Sequence, residues 1–392
     1  MTDTTTQYPA RAAEIREKNE RLVLGLMFRA GSMSQSEIAA ATGLKAPTVF
    51  RIFGELERLG LIKQVDPPEG VSLDRKGRRP TWYAVVPGAY RLIGLDFRAG
   101  HASVVIEDFS ASVLYSEDRE LPAGADADEV YRLISQLIRQ SLERPESSGG
   151  PLLGLGVGAP GVVDLARGEV IEYTRIPGLA GFPLGTTLSS EFGAPVHMGN
   201  NATVAAVASY RYGNHRDVSG IFAILIRSGV GGAFIRDGRP YESGGRTALE
   251  IGHMVMNPDG PTCACGESGC LEAYLAEDVL LRSVSAVVDC PDMDTLDSLI
   301  LSGNPQVIEV LTRAGRLLQR AVRTIRHMLE PDAFVIISRS KALSDLFAAE
   351  VSEGLAAMRF PGGLPPAVSG ARWDPLMAGR AACDMVFDAF FS

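Results

Sequence analysis

Three of the chain's five cysteines, Cys263, Cys265 and Cys270, fall within one short run, and His253 lies ten positions before the first of them. Thiolate and imidazole are the ligands that tetrahedral zinc prefers, and C-x-C followed by a third Cys at this spacing folds around one ion. Gly266 and Gly269 stand between the thiols and let the backbone turn tightly enough for the sulfurs to converge. The alternative, three ordinary thiols that happen to cluster, fits poorly in a chain with so few cysteines. Four protein ligands fill the coordination sphere, so the expectation is one structural Zn2+ per chain with no open position for water.

The same stretch, E-I-G-H followed by C-A-C-G-E-S-G-C-L-E, resembles the signature of the ROK family of bacterial sugar repressors and sugar kinases. The resemblance runs through nearly the whole chain. It implies an α/β body of two lobes of the actin-like ATPase kind, with ligands in the cleft between them. It also implies that Glu250, His253 and Glu272 surround a bound sugar while the zinc braces the loop. Leu249 departs from the pattern, because the kinases usually have glycine there.

The kinase motifs are altered one after another. Where the kinases have D-x-G-G-T-K, this chain reads Asp96-Phe97-Arg98-Ala99-Gly100-His101, so a phosphate would meet side chains instead of amide hydrogens. In the kinases' Asn-Asp-Ala turn Asn200 is retained, but Asn201 stands where the aspartate takes the proton from the sugar hydroxyl. An amide cannot act as that base. Asn200 and Asn201 can still hydrogen-bond a sugar, or cap the following helix, or both. In the glycine-rich hairpin after IFAILI, Arg227 and Ser228 replace the first glycine and threonine of the second phosphate loop, and a structural turn is the favoured reading. Ser338-Arg339-Ser340 replaces the glycines that accept the nucleotide.

The elements that position these residues begin with a separate N-terminal unit. Apolar positions recur at helical spacing over residues 14–30, and Ser34 with Glu37 forms a capping box for a second helix that ends at Gly43. A third helix follows, with Pro47 in its first turn. Helix, short turn and helix is the helix-turn-helix arrangement, whose second helix enters the DNA major groove. Lys45, Ala46, Thr48 and Arg51 are placed to reach bases, while Val49, Ile52 and Leu56 face the core. LIKQV and TWYAVV read as an antiparallel pair flanking a polar wing, where Lys76, Arg78 and Arg79 surround Gly77 in a shape suited to a narrow A·T minor groove. The competing reading is a small helical bundle that binds a protein. Similar GRR or GRP stretches in ROK repressors favour the wing.

Pro87-Gly88 suggests a boundary between a winged helix-turn-helix at residues 1–87 and a body at residues 88–392. Beyond it three strands, a helix near residues 127–142 and a buried strand ending at Gly158 alternate as an α/β sheet requires. Helices over residues 271–288 and 305–328, a strand AFVIIS and a helix over 376–390 complete the reading. Cys290 and Cys383 read as plain thiols.

Composition excludes several classes. With 46% hydrophobic and 22% charged residues in 392, the chain reads as an ordinary globular protein. It contains no apolar run of membrane-spanning length and no signal-peptide core, and its cysteine usage suits a reducing cytoplasm. Residues 1–85 hold 13 Lys and Arg against 10 Asp and Glu, which leaves 25 against 37 in the rest. A mildly basic head on an acidic body suits a DNA-binding module fused to a sensor. The sequence therefore predicts a sugar-responsive transcriptional regulator, a repressor of carbohydrate-utilisation genes without kinase activity. The expected partners are an A·T-rich inverted repeat, a sugar or sugar phosphate, and a second copy or three further copies of the chain. The alternatives are an ATP-dependent, glucokinase-like sugar kinase with an added DNA-binding domain, and a zinc-bearing protein scaffold. Some members of the resembled family answer to a transport protein.

Overall fold

The computed structural model describes residues 12–68, 80–215, 217–358 and 365–391. The cationic wing residues Lys76, Arg78 and Arg79 lie outside the described residues.

The chain opens with helix α1 (Ala12–Ala30), strand β1 (Ser32–Ser34) and helices α2 (Gln35–Thr42) and α3 (Ala46–Arg58). The Ser34 hydroxyl accepts from the Glu37 amide at 3.3 Å, and the Glu37 carboxylate accepts from the Ser34 amide at 2.9 Å. That reciprocal pair starts α2 at the expected residue. Gly43 stops it in the left-handed region at φ 71°. Val49, Ile52, Phe53 and Leu56 bury one face of α3, as the helical spacing predicts. Strands β2 (Ile62–Val65) and β3 (Trp82–Val85) pair antiparallel, with Ile62 opposite Val85. β1 adds itself to the other edge of β3. Sequence patterning missed β1, because Ser-Met-Ser carries no alternation strong enough to read.

The body holds two sheets built on one plan. The first runs β6 (Val113–Glu120), β5 (His101–Asp108), β4 (Arg91–Arg98), β7 (Leu152–Ala159), β10 (Val196–Asn200). The first three strands are antiparallel and the last two join in parallel. The second runs β13 (Arg239–Pro240), β12 (Val230–Arg236), β11 (Gly220–Ile226), β15 (Ala333–Ser338), β16 (Ala367–Arg372), again with three antiparallel strands and then two parallel ones. Helices α4 (Ala127–Leu142) and α5 (Leu184–Phe192) serve the first lobe, where a small hairpin of β8 (Val162–Asp164) and β9 (Glu169–Glu172) lies between them in sequence. β14 (Ala248–Leu249), α7 (Glu272–Leu275), α8 (Glu277–Ser285), α9 (Met293–Leu301), α10 (Pro305–Leu329) and α11 (Lys341–Ala356) belong to the second. The single helix expected over residues 271–288 is two helices. At Ala276 the backbone turns extended, ψ 141°, and the Glu277 amide donates to the Arg227 carbonyl at 2.8 Å instead of continuing the helical ladder.

Helices α6 (Asn201–Tyr212) and α12 (Pro375–Phe391) join the lobes. Ala202, Val204 and Ala206 of α6 share one hydrophobic cluster with β11, β12, β15, Trp373 and the α12 residues Ala378 and Ala381. α12 then crosses the first sheet at unusually close range. A Cβ on Gly156 would stand 1.8 Å from the Ala382 carbonyl oxygen, and one on Gly94 would stand 1.8 Å from that of Gly379. The glycines in β4 and β7 exist so that helix backbone can lie directly on sheet backbone. At its far end α12 reaches α1. Phe28 and Phe387 stack at 4.0 Å between ring centroids, and Val23, Leu24 and Met27 enter one cluster with Leu92, Phe109, Cys383 and Val386. Cys383 is a core thiol, as is Cys290.

Gly156→Ala is expected to cost ~1–3 kcal/mol of stability through forced separation of α12 from the sheet. Gly88→Ala, which meets nothing within 4 Å, should be neutral by comparison. Urea unfolding of the two variants against the parent checks this.

Candidate effector cleft and metal centre

A cleft of about 220 Å³ lies where the two lobes meet, and Asn200, Asn201, Glu250, His253 and Glu272 all line it. Asn200 and Asn201 arrive from the first lobe, at the junction of β10 and α6. Asn200 is the N-cap of α6: its side-chain oxygen accepts from the Ala202 amide at 2.7 Å, and its amide nitrogen donates to the Gly161 carbonyl. The capping and ligand-facing roles considered for this residue are therefore compatible. Glu272, Glu250 and His253 arrive from the second lobe. The Glu272 carboxylate accepts from the Val230 amide at 3.0 Å, and a Cβ on Gly229 would meet it at 2.6 Å. The glycine-rich hairpin is thus a turn, as expected, and also the seat of Glu272. Burial raises the Glu250 carboxyl above its usual range, opposed by His253 and reinforced by Glu172 and Glu272.

His253, Cys263, Cys265 and Cys270 converge so that their ligand atoms all lie within 4.8 Å of one another. The Cys265 and Cys270 sulfurs are 3.7 Å apart, and the Cys263 sulfur is 3.7 Å from His253 Nδ1. Zinc–sulfur bonds of about 2.3 Å at tetrahedral angles put sulfurs about 3.8 Å apart, so the donor set fits a four-coordinate ion. The loop closes on itself through the Gly266 amide, which donates to the Cys263 carbonyl at 3.0 Å. Gly269, at φ 73°, leaves no room for a side chain, because a Cβ would stand 1.6 Å from the Asn257 carbonyl oxygen. Burial holds the Cys263 and Cys270 thiols above their ordinary range. Bringing three thiolates together therefore calls for a cation among them. His253 and Cys265 also line the cleft, so the His/Cys cluster and the cleft share a wall.

Behind the asparagines the altered loops meet around one carboxylate. Asp96, in β4, is fully buried. The Asn201 amide nitrogen donates to Asp96 Oδ1 and to the Phe97 carbonyl, and Arg227 Nη1 lies 3.5 Å from Asp96 Oδ2. Burial raises the Asp96 carboxyl, with Arg227 and then Asn201 acting against it. Arg227 itself lies over the Trp373 ring at 4.3 Å, just before α12 begins. Arg339, from the loop after β15, pairs with buried Glu277 at 2.8 Å. Side chains from all three altered loops thus stand in one region.

A profile of the ROK family matches residues 92–355, about two thirds of the chain. The chain belongs to the ROK family. A winged helix-turn-helix DNA-binding profile matches residues 16–63. Similar ROK relatives include the putative xylose repressor of Caldicellulosiruptor sp. (strain Rt8B.4), 23% identical over 353 residues that cover 86% of this chain and 87% of that one. The DNA-binding transcriptional repressor Mlc of Escherichia coli K12 is 23% identical over 364 residues, covering 90% and 88%. A ROK family transcriptional regulator described as a homolog of Mlc superposes with TM-score 0.81 at 19% identity, covering 96% of this chain and 98% of its own. A Streptomyces griseus ROK glucokinase in complex with glucose and AMPPNP reaches 0.65 over 75% of this chain and 98% of its own, at 21% identity. The shared fold is that of a two-lobed ROK body, and the kinase lacks a counterpart for a quarter of this chain.

On the ROK chain's helix-turn-helix, Lys45, Ala46 and Arg51 are exposed and Thr48 is half-buried. Arg51 Nη1 lies 4.0 Å from Glu20 of α1. Sequence reasoning passed over Phe50, which is 70% exposed on the same helix. A bulky apolar side chain standing in water one position before Arg51 was the available signal. It also passed over Glu172, Tyr173 and Arg175, which line the cleft from the end of β9 and the segment that follows. That segment carries neither periodicity nor a motif, so nothing in its spacing marked it. Arg175 donates to the Ser228 carbonyl and so touches the second lobe.

Asn201→Asp would set a second carboxylate against buried Asp96. Two such groups share one proton, so the pair's folded pKa rises above the unfolded value and the associated stability is lost as pH climbs through it. The variant is expected to be less stable than the parent by ~3 kcal/mol at neutral pH, with a smaller deficit near pH 5. Thermal or urea unfolding across pH 5 to 8 reads the difference.

Proposed function

We propose that this ROK chain is a sugar-responsive DNA-binding transcriptional regulator, a repressor of carbohydrate-utilisation genes, in which residues 1–87 read operator DNA and residues 88–392 bind the effector. The observation that carries the reading is the coexistence in one chain of an exposed recognition helix and an interlobe cleft where five ligand-facing residues converge. A kinase reading would need a base where Asn201 stands and bare backbone where Arg98 and Arg227 stand. The names of the relatives, repressors of xylose use and Mlc, agree with it. Among the described residues no helix is long and apolar enough to cross a membrane, which suits a cytoplasmic regulator.

In this reading α3 enters the major groove, with Lys45, Ala46, Thr48 and Arg51 at the bases, and the wing cations Lys76, Arg78 and Arg79 engage an A·T-rich minor groove. A homodimer or homotetramer presents the helices to an inverted repeat. Asn200, Asn201, Glu250, His253 and Glu272 hold the hydroxyls of a sugar, and one structural zinc, on His253, Cys263, Cys265 and Cys270, keeps the wall carrying His253 in place. A ligand shifts DNA affinity only by binding two conformations unequally. Contacts from both lobes supply that inequality, because closure brings the two sets together.

Two measurements test the proposal. Operator binding of parent and Glu272→Ala is titrated across a series of sugars and their phosphates. The parent is expected to change affinity about 5- to 150-fold, equivalent to ~1–3 kcal/mol of coupling. Glu272→Ala should bind the operator but not respond. A response at the parent's sugar concentrations would remove the cleft as sensor. Metal analysis of protein purified without chelator should find one zinc per chain, lost in Cys265→Ser, and its absence from the parent would end the zinc assignment.

A further inference from the structure

Helix α3 carries one large side chain that its own fold does not use. Phe50 is 70% exposed and stands outside the apolar cluster in which Val49, Ile52, Phe53 and Leu56 seat the helix. At 3.6 residues per turn, Ala46, Phe50 and Gly54 fall in one row, with Pro47 and Arg51 beside it. All five are exposed, and the row lies away from the buried stripe. Along the helix the ring is therefore flanked by a methyl group on one side and by no side chain on the other. Nothing in the fold asks for glycine at position 54: its φ is not positive, and a Cβ there would meet nothing within 4 Å. Glycine inside a helix costs stability against alanine, and one use that offsets the cost is close approach of the backbone to a ligand. From Lys45 to Gly54 the chain carries no carboxylate, while Lys45 and Arg51 are exposed. Arg51 lies 4.0 Å from Glu20 with its side chain half exposed.

A large apolar ring held in water beside two cations calls for an apolar partner set in an anionic surface. Duplex DNA offers one. The thymine C5-methyl is an apolar group in the major groove, framed by phosphates, and Phe is among the side chains that contact it. A protein interface instead gathers several large apolar side chains into a common core, and the arc around Phe50 holds only small residues and cations. We propose that Phe50 is a specificity-determining residue, its ring packing on the C5-methyl of one thymine in each operator half-site while bare Gly54 lets α3 lie deep in the groove. The contact tells thymine from cytosine, which carries no methyl at that edge. The inference rests on the reading of α3 as the base-facing helix. It adds a base that is recognised without a hydrogen bond, beside those within reach of Lys45 and Arg51.

The test begins with the full-length protein and a library of random duplexes, from which the preferred duplex is selected. Each thymine of that duplex is then replaced in turn by deoxyuridine, which removes the methyl and leaves the base pairing unchanged. Affinities of the parent and of Phe50→Ala are measured by fluorescence anisotropy. At one thymine per half-site, loss of the methyl should cost the parent about fourfold, the factor for one buried methyl-sized group. Phe50→Ala should be indifferent to the replacement at that position, and Phe50→Leu should keep part of the parent's preference. Melting curves of both variants should match the parent's, because the ring is exposed; Phe50→Leu carries the comparison if the alanine variant does not fold. A preferred duplex with no thymine at its selected positions, or whose thymines all tolerate the loss, would overturn the inference. So would a methyl preference that survives in Phe50→Ala. If Phe50→Ala weakened every duplex alike and broke up the oligomer in sedimentation, the ring would belong to a protein contact instead. A parent that selects no duplex would overturn the DNA-binding reading together with the inference.

Discussion

A carboxylate that is fully buried must be surrounded by donors, and Asp96 imposes that demand at the centre of this molecule. Its partners come from both lobes: Asn201 from the start of α6 and Arg227 from the end of β11. The two sheets are thereby tied across the cleft by the Arg227–Asp96 pair, while the Asn201 amide holds the carboxylate from its own lobe. Much else follows from the tie. Arg227 is fixed over Trp373, Trp373 donates through its backbone to the Ser338 carbonyl at 2.7 Å, and the chain turns there into α12. Asp96, Arg227 and Trp373 together form a joint between the lobes.

Much of this was legible in the residues. The capping box at Ser34 and Glu37, the apolar stripe of α3 and the Cys-x-Cys spacing are local codes, and each is met in the structure where the sequence put it. The five cleft residues were legible through the resemblance to the ROK motifs, although the sequence itself could not say that they face one another. The break at Ala276 was not legible, because it depends on a long-range hydrogen bond from Glu277 to Arg227 that no local propensity encodes. Glu172 and Tyr173 were hidden for the same reason. They reach the cleft at the end of a four-residue strand and the loop after it, too short a stretch to carry a readable period. Arg98 and Arg227 were visible only as losses, since a sequence shows that glycine is gone but not that the replacements meet.

The winged helix and the body are not beads on a string. Their hydrophobic residues enter a common cluster in which α1 lies against α12, and the aromatic rings of Phe28, Phe387 and Phe391 form its middle. A rotation of α12 on its glycine track cannot leave α1 where it was, because packed rings move as a unit or separate. Trp373, immediately before that helix, contacts a cleft arginine. This gives a continuous physical route from the lobe junction to the helix-turn-helix through one rigid element.

The same arrangement governs the order in which the protein can be made. α1 emerges during synthesis before α12, which follows nearly the whole body, yet part of the surface that covers α1 belongs to α12. Until α12 arrives, the cluster that holds Val23, Leu24 and Met27 lacks Cys383, Val386 and Phe387. A chain interrupted within the body would carry the helix-turn-helix on a head that lacks part of its apolar cover. Exposed apolar surface of that kind draws chaperones and proteases, so the seating of the first helix by a late one ties the survival of the head to completion of the body.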